Sequence, residues 1–335
     1  MKNSAKIVLV GLGKMGKNHF RVAHSHPQFE LVAVVDPEVA KVTNTYEGVP
    51  VVASLDELKT TDYSAAVVAV PTSLHYEIVK KLILSKKNVL VEKPLASEVA
   101  QCEELRALAS EHGVKVGVGH VERFNPAVRK VAELIQQGWL GEPIHFSITR
   151  VGGYPNTILD KNNVILDLAV HDIDVVLNLL GPLKLVSSIC HNTLQSRVID
   201  TAEIMLVSER GTSVALHVNW ITPTKIRTMR VTGTRSVCFV DYILQTCQLL
   251  GGQLLSYTPD KDFDFRRIVE SYQNTDKIDL GVQKSEPLRI EYDHFHRYLI
   301  GEPTDICLVE DATAVVSIAH AAIQGAIQAN HANSH

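Results

Sequence analysis

Apolar residues in the first third of the chain fall in short unbroken runs rather than in alternation. KIVLV (6–10), LVAVV (31–35), VPVVA (49–53), AAVVAV (65–70), NVLV (88–91) and VKVGV (114–118) are such runs. Runs of this length, rich in β-branched residues and bounded by turn formers, predict strands buried on both faces. Amphipathic stretches from Met15 to His24, over 72–85 and over 97–112 predict helices between them. SLDEL (54–58) carries the capping-box pattern, with Ser54 as N-cap and Glu57 three residues on, and predicts a further helix start. Strand and helix in alternation predict a doubly wound parallel sheet covered on both faces, a Rossmann domain over 1–121.

The rhythm changes beyond residue 122. HFSITRV (145–151), LVSSICHN (185–192), AEIMLVS (202–208), TSVALHVNW (212–220), IRTMRVTG (226–233) and RSVCFVDY (235–242) follow one another with short Gly- or Pro-containing connections. They predict a large, open, mostly antiparallel sheet in a C-terminal α+β domain over 122–335. GTR between the last two is a hairpin signal. Helices are expected at 163–180, 287–300 and 310–330, with a frayed HANSH end.

Composition narrows the function classes. A chain of 335 residues, 45% apolar and 21% charged, is long enough for two cores and balanced like a soluble protein. A net charge of -4 and a pI near 6.4 give no reason to expect nucleic acid as a partner. The five cysteines form no CxxC pair, which points to reduced thiols rather than a zinc site. No metal is expected. The N-terminal apolar run is too short for a signal segment and no run is long enough to span a membrane, so the expected location is the cytoplasm.

Two stretches carry chemistry. VGLGKMG (10–16) sets Gly11, Gly13 and Gly16 at GxGxxG spacing between a strand and a helix, with Lys14 and Met15 inside the loop. Asp36, at the end of the second strand, stands where a carboxylate meets the adenosine ribose and repels a 2′-phosphate, so the expected cofactor is NAD. The carboxyl edge of such a sheet is the ligand edge. Pro71, Thr72 and His75 after the fourth strand are expected on the nicotinamide side; the plainer alternative is a loop with Thr72 or Ser73 as an N-cap. Glu92-Lys93-Pro94 ends the fifth strand at the same edge. The proline restricts Lys93 to extended geometry, so the lysine is expected to face the cofactor rather than the core. In ILDLAVHDIDVV (165–176), Asp167 and His171 stand four apart, one helical turn from each other, with Asp172 and Asp174 on another face. They read as an acid–base pair meeting Lys93 across the domain crevice. A structural Asp–His pair is the alternative.

The order GxGxxG, EKP, DxxxH resembles the oxidoreductase family of glucose–fructose oxidoreductase and inositol dehydrogenase, the Gfo/Idh/MocA type, over nearly the whole chain. The resemblance implies Lys93, Asp167 and His171 as the catalytic set, a cis Lys93–Pro94 peptide, and homodimers or homotetramers through the second sheet. GHVERFNPAV (119–128), RVGGYP (150–155) and LDLAVHDIDV (166–175) resemble more finely the branch that oxidises the 3-hydroxyl of UDP-N-acetylglucosamine for an aminotransferase, which in some bacteria feeds diamino-sugar lipid A. For such a nucleotide-sugar substrate, Arg123, Arg150 and Lys161 are the candidate cations for the pyrophosphate, Asn125 a candidate for a sugar hydroxyl, and Tyr154 a cover for the sugar ring. Arg123 has a domain-linking salt bridge as its alternative role, and Tyr154 a loop anchor. His171 is favoured as base with Lys93 polarising the oxygen, the reverse assignment staying open; Asp167 orients His171 or binds a hydroxyl. Two rival readings stand beside this one: a dehydrogenase of another substrate (a cyclitol such as inositol, or a UDP-sugar acid), and a non-catalytic NAD-binding redox sensor.

Overall fold

The computed structural model describes residues 4–59, 61–153, 163–193, 198–251 and 276–328. Tyr154 and Lys161 lie outside the described residues. The chain divides into two compact units, Met1–Phe124 with Glu286–His320, and Asn125–Ser285 with Ala321–His335.

The first unit is built on β1 (Ala5–Val10), β2 (Phe29–Val35), β3 (Thr45–Tyr46), β4 (Val49–Val52), β5 (Ala65–Val68), β6 (Asn88–Glu92), β7 (Val116–Gly119) and a late strand, β16 (Cys307–Leu308). They form one sheet in the order β16-β7-β6-β5-β1-β2-β4-β3, parallel except at its two edges, where β16 and β3 run antiparallel to their neighbours. Successive side chains serve opposite faces, which is why these strands read as unbroken apolar runs. Val8, Val10, Val89 and Val91 face a layer that holds Val79, Leu82 and Ile83 of α3 (His75–Leu84) and Leu105 of α4 (Val99–His112). Ile7, Leu9 and Leu90 face the other layer, with Phe20 and Val22 of α1 (Lys14–Ser25) and Tyr292 and Phe295 of a late helix, α7 (Pro287–Ile300). Each such side chain contributes about 1.5–3 kcal/mol by leaving water.

That late segment departs from the sequence-based division at residue 121. The break itself falls close by, at Phe124, but Glu286–His320 belongs to the first unit. The amphipathic face of α7 announces a buried stripe without saying which core will take it; Tyr292 and Phe295 are wholly buried in the first. The capping box at Ser54 is formed, yet it opens only a 3-10 turn, Leu55–Glu57. Capping satisfies the first donors but does not by itself sustain a helix against nucleation entropy.

The second unit carries β8 (Pro143–Val151), β9 (Leu183–His191), β10 (Thr201–Ser208), β11 (Ser213–Asn219), β12 (Ile226–Gly233), β13 (Ser236–Asp241), β14 (Thr246–Gly251), β15 (Asp276–Leu280) and β17 (Ile327–Gln328). Their order is β15-β14-β13-β12-β8-β11-β10-β9-β17. Pairing is antiparallel apart from β8 with β11 and β17 with β9. Alternation divides the faces. Phe146, Ile148, Leu216, Ile204, Met229 and Cys238 point into the core, while Met205, Phe239 and Ile189 each stay more than a third exposed among serines and threonines. Among the described residues the helices of this unit are α5 (Pro126–Gln136) and α6 (Val170–Leu180); the helix expected at 310–330 is α8 (Val309–Gln324), which lies in the first unit as far as His320. All five cysteines are buried and outside any disulfide. No helix among the described residues is long and apolar enough to cross a membrane.

Candidate active site

The glycine loop fits a dinucleotide phosphate. Gly11 sits at φ +95°, and a Cβ there would meet the Ala69 carbonyl oxygen at 2.6 Å, so only glycine makes this turn against β5. A Cβ at Gly16 would meet the Gly11 carbonyl at 2.2 Å; its absence lets α1 close onto the loop. A Cβ on Gly13 would meet nothing within 4 Å among the described residues, and Gly13 caps α1 without a side-chain hydrogen bond. The first-turn N–H groups of α1 are thus left to an anion. Lys14 and Met15 are exposed beside them. Asp36 ties the loop down: its Oδ2 accepts from Leu12 N at 2.8 Å, and its Oδ1 accepts from Glu38 N and Val39 N at 3.0 Å each. Oδ2 keeps a second lone pair for a ribose hydroxyl, while Oδ1 already accepts twice.

At the same sheet edge, β5 runs on into Pro71 and the 3-10 turn Thr72–Leu74, which has no side-chain cap, so neither Thr72 nor Ser73 serves as the N-cap of the plainer alternative. β6 ends in Glu92 and a cis Lys93–Pro94 peptide. Lys93 is half-buried. Glu92 Oε2 accepts from Lys93 N at 3.1 Å and Oε1 meets His19 Nε2 at 2.8 Å. Burial alone would raise the Glu92 pKa. The His19 hydrogen bond and charge, with Lys93, outweigh it and hold the carboxyl below its usual range. His75, expected at the cofactor, is buried instead. Its Nδ1 lies 2.8 Å from the Pro94 carbonyl oxygen and its Nε2 2.9 Å from that of Val70, so the ring is committed to the backbone. Burial lowers its pKa in spite of both carbonyls.

In the second unit Asp167 and His171 stand on either side of a junction the sequence does not announce. Ile165–Ala169 is a π-turn, with Val170 N bonding back to Ile165 O, and α6 begins at Val170. Such turns recur at functional sites because they re-aim side chains off the α-helical stripe. Asp167 Oδ2 accepts from Trp220 Nε1 at 3.1 Å. Asp172 and Asp174 are wholly buried.

Three expected substrate contacts are spoken for. Arg150 is 1% exposed, bonds Asp172 through Nε at 2.7 Å and Nη2 at 3.0 Å, and places its guanidinium carbon 5.1 Å from the Tyr242 ring centroid. A guanidinium sealed in this way does not serve a solvated pyrophosphate. Asn125 caps α5 by accepting from Ala127 N and donates to Tyr242 O, so its amide is structural. Arg123, also buried, bonds Asp311 at 3.0 Å, a salt bridge within the first unit rather than the domain-linking one weighed against phosphate binding. An arginine in a polar stretch looks alike in sequence whether it meets a ligand or a buried carboxylate. The residues sequence reasoning missed are His19, Tyr292 and Trp220. His19 had a faint signal, being a polar residue on the stripe of α1 that also holds Gly16, Phe20 and Ala23.

Acidification should destabilise the first unit. His75 and His26 are both depressed, chiefly by burial, and Glu92 is depressed on balance. For each, the unfolded chain binds the proton first. Stability is therefore full above the ordinary histidine value near 6.5 and falls as pH drops through the window beneath it, with Glu92 adding a further loss below about 4.5. Thermal midpoints measured from pH 7.5 down to about 5 should fall monotonically; a rise would contradict the histidine burial.

Comparison with known proteins agrees with this architecture. Residues 5–120 match the model of the oxidoreductase family with an NAD-binding Rossmann fold, and residues 128–237 that of the GFO/IDH/MocA C-terminal domain. The scyllo-inositol 2-dehydrogenase (NAD(+)) of Bacillus subtilis is 28% identical over 54% of this chain and 55% of its own. The UDP-N-acetylglucosamine 3-dehydrogenase of Acidithiobacillus ferrooxidans is 23% identical over 72% of this chain and 75% of its own. Its solved structure superposes with a TM-score of 0.81 at 20% identity, covering 96% of this chain and 98% of that one. A 3-ketoreductase from Actinomadura kijaniata, solved with TDP-benzene and NADP, superposes at 0.78 and 18% identity over 97% and 99%. The chain spans about half to two thirds of the length of the first curated relatives it matches. Two domain models in the expected order, over a glycine cradle, an EKP elbow and a DxxxH turn, place this chain in the GFO/IDH/MocA oxidoreductase family.

Proposed function

We propose that this oxidoreductase oxidises the 3-hydroxyl of a UDP-N-acetylglucosamine-type nucleotide sugar to the ketone, with NAD rather than NADP. The observation that carries the reading is the Lys93 elbow standing at the same sheet edge as the open glycine cradle. When bound, the nicotinamide dinucleotide accepts the hydride from the sugar carbon. His171 takes the hydroxyl proton, and Asp167, held by Trp220, orients it. The Lys93 ammonium polarises the same oxygen as charge develops. Asp36 supports NAD, because a 2′-phosphate would meet its carboxylate and Pro37 follows it where an arginine would be needed. Likeness to the 3-dehydrogenase across 72% of the chain supports the sugar. The 3-ketone suits an aminotransferase as the next step, consistent with amino-sugar and lipid A synthesis in the cytoplasm. Met205, Phe239 and Ile189 on the open sheet face support self-association through that face as a homodimer or homotetramer.

A second reading, a cyclitol dehydrogenase, is favoured by the likeness to scyllo-inositol 2-dehydrogenase. A panel decides: UDP-N-acetylglucosamine, its C6-carboxylate analogue and neutral inositols, each with NAD and with NADP, read by absorbance of the reduced cofactor. The nucleotide sugar with NAD should lead by about 100-fold in kcat/KM. Comparable rates on inositol would transfer the reading to cyclitols. NAD binding with no reduction on any substrate would favour the redox sensor.

A further inference from the structure

Lys93 sits between two backbone atoms that buried histidines hold from different helices. His19 on α1 is wholly buried, with Nε2 2.8 Å from Glu92 Oε1 and Nδ1 3.1 Å from the Tyr292 hydroxyl. A carboxylate only accepts, so Nε2 carries a proton toward Glu92, and Nδ1 meets the Tyr292 hydroxyl. The other Glu92 oxygen accepts the Lys93 N–H at 3.1 Å. Tyr292, His19 and Glu92 thus form a chain that ends on the amide of Lys93. On the far side, His75 opens α3 with Nδ1 2.8 Å from the Pro94 carbonyl oxygen and Nε2 2.9 Å from Val70 O. Both partners only accept, and burial favours the neutral ring near pH 7, so its single proton reaches one carbonyl, and the shorter contact assigns it to Nδ1 and Pro94. The charges facing the ring are Glu92 and Lys93.

We infer that His19 and His75 are positioning residues for Lys93, His19 acting through Nε2 on Glu92 and His75 through Nδ1 on the Pro94 carbonyl. Lys93 N and Pro94 O bracket the Lys93 Cα, so fixing both fixes the direction in which the long side chain leaves the backbone. A swing of about 10° there displaces the ammonium by about 1 Å, enough to cost on the order of 100-fold in rate. The inference rests on the dehydrogenase reading for its consequence in turnover, but not for the clamp itself.

Amide isosteres test it, since a glutamine amide reaches the place of Nε2 and an asparagine amide that of Nδ1. His19→Gln should keep kcat within about fivefold while His19→Asn loses about 100-fold; at His75 the order reverses, Asn retaining and Gln losing. The KM for the dinucleotide should stay within about twofold in all four, and the two variants at each position should share one unfolding midpoint. Space-filling alone would penalise both amides at a position equally. A readout free of substrate accompanies this: hydrogen exchange of the Lys93 amide, followed by mass spectrometry, should be at least about tenfold faster in His19→Asn than in His19→Gln. If exchange keeps that order while the unmodified protein reduces no cofactor with any sugar, the dehydrogenase reading fails and the clamp stands. Equal exchange in the two His19 variants overturns the inference, as does equal kcat within each pair.

Discussion

Lys93→Ala should abolish turnover, with kcat down by at least about 10³-fold, while NAD binding changes by less than about twofold. The separation follows from where the parts come from. Lys93 leaves the end of β6, whereas the proposed phosphate cradle is Gly11, Gly13 and Gly16 between β1 and α1, and the proposed ribose carboxylate is Asp36 after β2. Truncating the lysine removes one cation and no cradle donor. Steady-state kinetics beside calorimetric titration of NAD checks both halves. Full activity in the variant would remove Lys93 from the chemistry, and joint loss of binding and turnover would make it a cofactor ligand instead.

Asp172→Ala should cost the second unit about 3–5 kcal/mol, the largest single-residue loss expected away from the glycine loop. Arg150 and Asp172 are both sealed from solvent, with two charge-assisted bonds between them and Tyr242 under the guanidinium. Removing the carboxylate leaves a buried cation without that partner, which costs far more than the pair itself is worth. Replacing both, Arg150→Met with Asp172→Leu, should therefore recover most of the loss. Denaturant unfolding read by tryptophan fluorescence isolates this unit, because the chain's two tryptophans, Trp139 and Trp220, both belong to it. A loss under about 1 kcal/mol would mean that water reaches the pair. Asp172 follows His171 directly, so the single variant should also lower kcat, whereas the double variant tests whether helix position alone restores it.

Much of the candidate site was legible because its parts are local. Spacing sets three glycines in one turn, a proline after one lysine, and an aspartate and histidine one helical turn apart; none of these needs knowledge of distant contacts. The fates of Arg123, Arg150 and Asn125 were not legible. Each was read as a ligand for an anion or a hydroxyl, and each instead meets Asp311, Asp172 or the backbone of Tyr242 and Ala127. Their partners are up to 188 residues away, and a polar side chain carries no mark of the partner it will find. His75 was misread for the same reason, its two acceptors being carbonyls at the ends of other segments.

By itself the sequence determined the periodicities: unbroken runs for a sheet covered on both faces, alternation for a sheet with one open face, glycines where backbone must pass backbone. These follow from the repeat of the side chains along each element, a property of consecutive residues. Only the tertiary structure decided that Glu286–His320 packs with the first unit, that the DxxxH segment opens as a π-turn, and that two buried histidines hold the lysine elbow. Those outcomes depend on which surfaces exclude water together and which donors are left for which acceptors, and that choice is made among residues far apart in the chain.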